Sequence, residues 1–385
     1  MINDKAYAEL ELVFFLIIIS FITNLFQEFD KILVLTNVYD FNISSSFAFI
    51  TLSYILYQNS KSAFRNGYLS YDSKVFSLIF IFIFALGNLF IFCFSHYIDF
   101  TIDIKYNTVC EVINDRMKRI LETSNNKYNM DLFDFLKGSS CNITVVKLFF
   151  ILLFSFIIAS FYRSITRMSY FDVKLINSTN RLEEIEHQLL DSTSNKKASP
   201  LNHIKLIIKC KSILAIICLF SLIDPIMLKP LLSILSEYQF VIFFQLPLFS
   251  IECIFSVLCL KYYSNIYLNQ NYYSMIEFCN EPNQDYLSAL KLRMSYINSS
   301  FWDVFQNLIC LSFMPFLLFI FFINRSGCHL QENINVADFT FKNYFLENVM
   351  YVCLLSLMLS KAIIGNLYNY YLQKLETSNK RNVFI

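Results

Sequence analysis

The sequence predicts an all-α protein: a polytopic membrane helix bundle of seven to eight transmembrane helices, several of which extend into the cytoplasm. Composition is the first observation behind this reading. The 385 residues are 56% hydrophobic and only 16% charged, with a mean hydropathy of +0.48, whereas soluble domains carry about 25% charged residues. The second is that the apolar residues gather into runs near the roughly 17 to 25 residues that a bilayer crossing needs. The third is a polar stretch in mid-chain, "YFDVKLINSTNRLEEIEHQLL" (Tyr170 to Leu190), whose apolar residues keep a helical spacing. Residues 1–385 therefore read as a single transmembrane helical domain. The lipid bilayer is its first partner and the plasma membrane its expected location.

Eight apolar segments follow in order: 12–27, 43–58, 75–97, 145–163, 211–232, 239–261, 300–323 and 345–367. The first is taken as an anchor, because "MINDKAYAELE" carries more acid than base and no small-residue cleavage site follows it. The second, "ISSSFAFITLSYILYQ", is short and Ser-bearing, and whether it crosses decides between seven and eight spans. Lys and Arg mark the cytoplasmic side of a membrane protein. Lys61, Arg65 and Lys74 stand in 58–74. Arg167, Lys174, Arg181, Lys196, Lys197, Lys205 and Lys209 stand in 164–210, and Lys374, Lys380 and Arg381 in the tail. These three regions read as cytoplasmic, with both termini inside. Residues 98–143 form an extracellular loop.

Glycosylation sequons are used on the outer side. Asn42, Asn142 and Asn324 head such triplets in loops assigned outside, and are the glycosylation candidates. Asn177 and Asn298 head triplets in segments assigned inside. Of the eleven Cys, none forms a CxxC pair. Cys110 and Cys141 share the outer loop, where a disulfide is permitted, with Cys328 as a possible competitor. Cys93, Cys210, Cys218, Cys253, Cys259, Cys310 and Cys353 lie in or beside apolar runs, where Cys is a small core residue.

The net charge of +1 argues against nucleic acid as a partner. The chain has no phosphate-binding glycine loop, no GxSxG, no HExxH and no paired-carboxylate motif, and its four His show no metal spacing. The expectation is a protein that is not an enzyme and needs neither metal nor cofactor.

Ionisable residues inside spans are costly and are functional candidates by default. Glu252, in "LFSIECIFSV", lies mid-segment. It reads either as a pore- or pocket-lining carboxylate or as a protonated Glu bonded to a neighbouring helix. Lys361, in "LMLSKAIIGN", either pairs with Glu252 or, the preferred reading, lets its stem snorkel toward the cytoplasmic end. Asp224 precedes Pro225 and marks a helix end, and Asp303 reads as interfacial. Pro247 and Pro315 interrupt the sixth and seventh segments, where each removes a backbone donor and kinks its helix. Glu252, Pro247, Pro315 and Lys361 are the ligand or pore candidates.

In the polar stretch, Phe171, Leu175, Leu182, Ile185 and Leu189, with Ser178 at the remaining heptad position, make a narrow helix–helix seam. The fourth helix therefore continues into the cytoplasm. Pro200 suits the start of the fifth helix, and "LKYYSNIYLNQNYYSMIEF" prolongs the sixth. Together they predict a shared intracellular bundle. This layout, with "YFDVKLINSTNRLEEI" after the fourth span and "LKLRMSYINSSFWDVFQNLICLSFMPFLLF" leading into the seventh, resembles the insect chemoreceptor superfamily, especially gustatory receptors. The resemblance implies a ligand-gated cation channel for a small-molecule ligand, assembled as an oligomer, a tetramer in that family. The family's T-Y-x5-Q-F signature has as its nearest counterpart "LYNYYLQKL", and the family has seven spans where eight are counted here. With seven spans the parity becomes that of a G-protein-coupled chemosensory receptor. A multi-pass transporter or lipid-handling protein is the third reading.

Overall fold

In a computed structural model of the chain, the described residues are 11–22, 43–64, 71–93, 143–190, 200–223, 240–279, 294, 301, 304–320 and 340–382. Among them every regular element is helical and none is a strand. We number the helices α1 (Glu11–Ile22), α2 (Ile43–Phe64), α3 (Tyr71–Cys93), α4 (Ile143–Leu190), α5 (Pro200–Leu222), α6 (Leu246–Cys279), α7 (Val304–Ile320), α8 (Thr340–Leu359) and α9 (Asn366–Asn382). A π turn, Val241–Gln245, leads into α6, and a second, Ser360–Gly365, joins α8 to α9 without a break. Each predicted apolar segment is helical over at least part of its length. Four helical stretches are long and apolar enough to cross a membrane: Tyr71–Leu89, Lys147–Ser178, Phe243–Asn269 and Val349–Leu375. Two apolar helices, α1 and α7, are shorter.

Local chemistry explains the boundaries. No Gly or Pro occurs between Ile143 and Leu190, so nothing breaks α4, which runs 48 residues, about 72 Å at 1.5 Å per residue. Helix α5 opens on Pro200, whose missing N–H costs nothing in a first turn. It ends at Leu222, with Ile223 N–H donating to the Phe220 carbonyl at 3.2 Å, and the rest of the predicted segment, 224–232, lies outside the described residues. In the sequence Asp224–Pro225 follows, and the residue before a proline disfavours helical backbone. Pro247 stands just past the π turn Val241–Gln245, where the helical backbone running on from Phe240 changes from π to α geometry. Its side chain is exposed. Pro315 lies inside α7, buried, and the helix continues through it. Buried serines on these apolar helices donate to the carbonyl one turn back, as Ser155 does to Ile151 (2.7 Å) and Ser312 to Leu308 (2.8 Å).

The helices alternate in direction. Asp72 meets Arg163, Phe76 meets Phe156 and Gly87 lies against Ile151, so α3 and α4 are antiparallel. Lys211 bonds Tyr263 and Gln245 bonds the Ser221 carbonyl, which sets α5 against α6. Phe249 stacks on Phe319 and Tyr267 meets Phe301, which sets α6 against α7. Phe150 packs with Val352, and Ser169 bonds Gly365, so α8 and α9 run with α4. Helix α4 is the hub, packing on α2, α3, α5, α6, α8 and α9. One large core unites α1, α2 and α4 to α8. Helix α3 stands at the edge, with Leu78, Ile81 and Phe82 turned outward.

Candidate functional site

Two buried ionic clusters lie in the bundle interior. In the first, Glu252 and Ser256 stand one turn apart on α6, so both face the same neighbours. The Lys361 ammonium, from the π turn, donates to Glu252 Oε1, to Ser256 Oγ (3.2 Å) and to the Leu311 carbonyl of α7 (3.1 Å). Ser256 Oγ donates to the same Glu252 oxygen at 2.9 Å. Glu252 is wholly buried and Lys361 is 4% exposed. Lys361 therefore does not snorkel. The ammonium finds three oxygen acceptors within the bundle, which compensate for its removal from water.

The third acceptor has a covalent origin. In an α-helix the carbonyl of residue 311 would receive the N–H of residue 315. Pro315 has none. The freed Leu311 oxygen is the one that Lys361 takes. Three of the four ligand or pore candidates thus meet at one place, Glu252 and Lys361 by their side chains and Pro315 through the carbonyl it frees. Pro247 lies outside the group. The remaining Glu252 oxygen, Oε2, has no hydrogen-bond partner although it is buried.

The second cluster was missed by sequence reasoning. Asp172 on α4 accepts two bonds from Lys211 Nζ on α5 (2.9 and 2.7 Å) and one from the Tyr263 hydroxyl on α6, and Lys211 also bonds that hydroxyl. All three residues are 3% exposed or less. Phe171 stacks on Tyr263 at 5.7 Å between ring centroids and touches the edge of Tyr267, covering the cluster. Lys211 heads the predicted fifth apolar segment, and its charge lies inside the bundle. The signal in the sequence was Asp172, placed directly beside the seam residue Phe171.

A small space between α4, α5 and the last helix joins the clusters. Asp172, Lys211 and Lys361 all border it, with Ser169, Asn366 and Asn369. It has room for about one water molecule. Ser169 Oγ donates to the Gly365 carbonyl (3.0 Å) and Asn366 Nδ2 to the Ala362 carbonyl (2.7 Å), so side chains hold the π turn's backbone.

The chain matches no family model, no curated protein and no solved structure.

The seam residues Phe171 and Leu175 are buried. Leu182, Ile185 and Leu189 lie on α4, beyond the side chains the structure describes. The glycosylation candidates Asn42, Asn142 and Asn324 and the disulfide candidates Cys110 and Cys141 fall outside the described residues, as does the 98–143 loop. Cys210, Cys218, Cys253, Cys259, Cys310 and Cys353 are free thiols, all but the half-buried Cys210 inside the bundle. No group of His, Cys, Asp and Glu among the described residues is arranged to hold a metal ion.

Proposed function

We propose that this chain is a multi-pass membrane receptor of the chemosensory, ligand-gated cation channel type, assembled from several copies in the plasma membrane. The observation that carries the reading is the buried Glu252–Lys361 pair where α6, α7 and the last helix meet. Charges placed inside an apolar bundle are expensive and are kept where ions or ligands are handled. Here the pair ties three helices through one ammonium, and that ammonium stands on a π turn. π turns are uncommon and concentrate at functional sites. A stimulus that draws Lys361 from Glu252 frees all three helices together, which is the requirement for a gate. The lengths of α4 and α6, 48 and 34 residues, add material beyond the roughly 20 residues a crossing uses. These extensions are suited to holding subunits together outside the lipid.

The test is electrical. In cells expressing the chain, the expected result is a cation current whose selectivity or stimulus dependence changes in Glu252→Gln, and a purified particle with a mass of several copies. Currents with unchanged selectivity and stimulus response in Glu252→Gln would remove the residue from the path. A monomeric particle that signals through a G protein would replace the channel reading with the seven-helix receptor one.

A further inference from the structure

The surroundings of the Lys361 ammonium are those of a monovalent cation. Its neighbours are a carboxylate oxygen of Glu252, the Ser256 hydroxyl and the Leu311 carbonyl released by Pro315. All are oxygens, and none is a nitrogen or sulfur donor. Carbonyl, hydroxyl and carboxylate oxygens held inside a membrane bundle are the ligands that replace the hydration shell of sodium or potassium. The spare Glu252 Oε2 is a further oxygen, buried and without a partner. It is left over because one ammonium has only three protons to give, and here they go to three other oxygens. A spherical ion has no such limit and can take both oxygens of one carboxylate.

We propose that Glu252, Ser256 and the Leu311 carbonyl form an alkali-cation site, occupied in this state by the tethered ammonium of Lys361. Lysine and a sodium or potassium ion carry the same charge, so exchange leaves the pocket neutral beside Glu252. The π turn makes the exchange local. It bears Lys361 on a widened turn held by Ser169 and Asn366 side chains, which can be released without unfolding α8 or α9. Sites in which a lysine stands for an ion couple ion occupancy to the position of the lysine's own helix.

The experiment is a melting titration of the detergent-purified protein. Samples in N-methyl-D-glucamine chloride receive NaCl or KCl at constant ionic strength. The wild-type midpoint is expected to be the same in all three salts, because Lys361 holds the site. In Lys361→Met, which keeps the stem and vacates the place of the ammonium, sodium or potassium is expected to raise the midpoint saturably by at least about 2 °C. The rise is expected to vanish in Lys361→Met/Glu252→Gln. It is expected to weaken in Lys361→Met/Pro315→Ala, where a restored N–H competes for the Leu311 carbonyl. No alkali effect in Lys361→Met overturns the proposal, and so does an effect that survives Glu252→Gln. Should Lys361→Met fail to fold, Lys361→Ala takes its place. Failure of both in every alkali salt also overturns the proposal, since an ion that filled the site would restore them. The assay records no current, so its outcome is independent of the channel reading.

Discussion

At the scale of single residues, the interior is decided by which charges find partners. A buried carboxylate needs partners in place of water, and Asp172 has a lysine on both oxygens and a phenol on one. Breaking a buried pair from one side strands a charge and costs about 3–5 kcal/mol, whereas replacing both partners with apolar groups is often neutral. Lys211→Met is therefore expected to lower the melting midpoint of the purified protein sharply, with most of the loss recovered in Asp172→Leu/Lys211→Met. Equal losses in single and double variants would show that the pair contributes little beyond its packing. Glu252 was legible in the sequence because a lone acid inside an apolar run is conspicuous. Its partnership with Lys361 was not, since 109 residues separate them and a lysine near a span end has water as its ordinary destination. Asp172 escaped notice because a charged residue in a polar stretch is ordinary, its place beside the seam residue Phe171 being the one hint. Only the meeting of α4, α5 and α6 places it inside.

At the scale of elements, the long helices were readable and their junctions were not. Freedom from Gly and Pro over the polar stretch predicts that α4 runs on past its apolar part, and Pro200 predicts the start of α5. The π turns have no sequence signature, because they answer to partners on other helices: Ser169 at Gly365 is one such partner. The two described glycines separate close approach from ordinary contact. A Cβ at Gly87 would stand 2.8 Å from Ile151 Cγ2 on α4, while one at Gly365 would meet its nearest atom, Ser169 Oγ, at 3.6 Å. Gly87→Ala is expected to push α3 from α4 and lower the melting midpoint, by the order of 1–3 kcal/mol typical of overpacking. Gly365→Ala is expected to leave the protein folded with an unchanged or higher midpoint. The opposite ranking would contradict the packing described here.

At the scale of the whole molecule, the alternation of helix direction from α3 to α8 is the arrangement a chain acquires by crossing a bilayer repeatedly. The four long apolar stretches supply the length and hydropathy for it. With the basic loops inside, the expectation is that epitope tags at both ends are seen only after permeabilisation, and that Asn142→Gln removes a glycan and raises mobility on a gel. An N-terminal tag read on intact cells would reduce the crossings to seven. The helical class was legible from composition alone, since runs of apolar residues without strand periodicity leave few alternatives. The number of crossings was not, because hydropathy does not distinguish a short span such as α7 from a helix buried by its neighbours.

Helix α4 carries an apolar part and a polar part on one unbroken axis. Arg163, paired with Asp72 at the end of its apolar part, lies about 40 Å from Leu190 along the rod. By geometry alone, a tilt of about 5° about that point displaces the far end of the rod by about 3.5 Å, more than the length of a hydrogen bond.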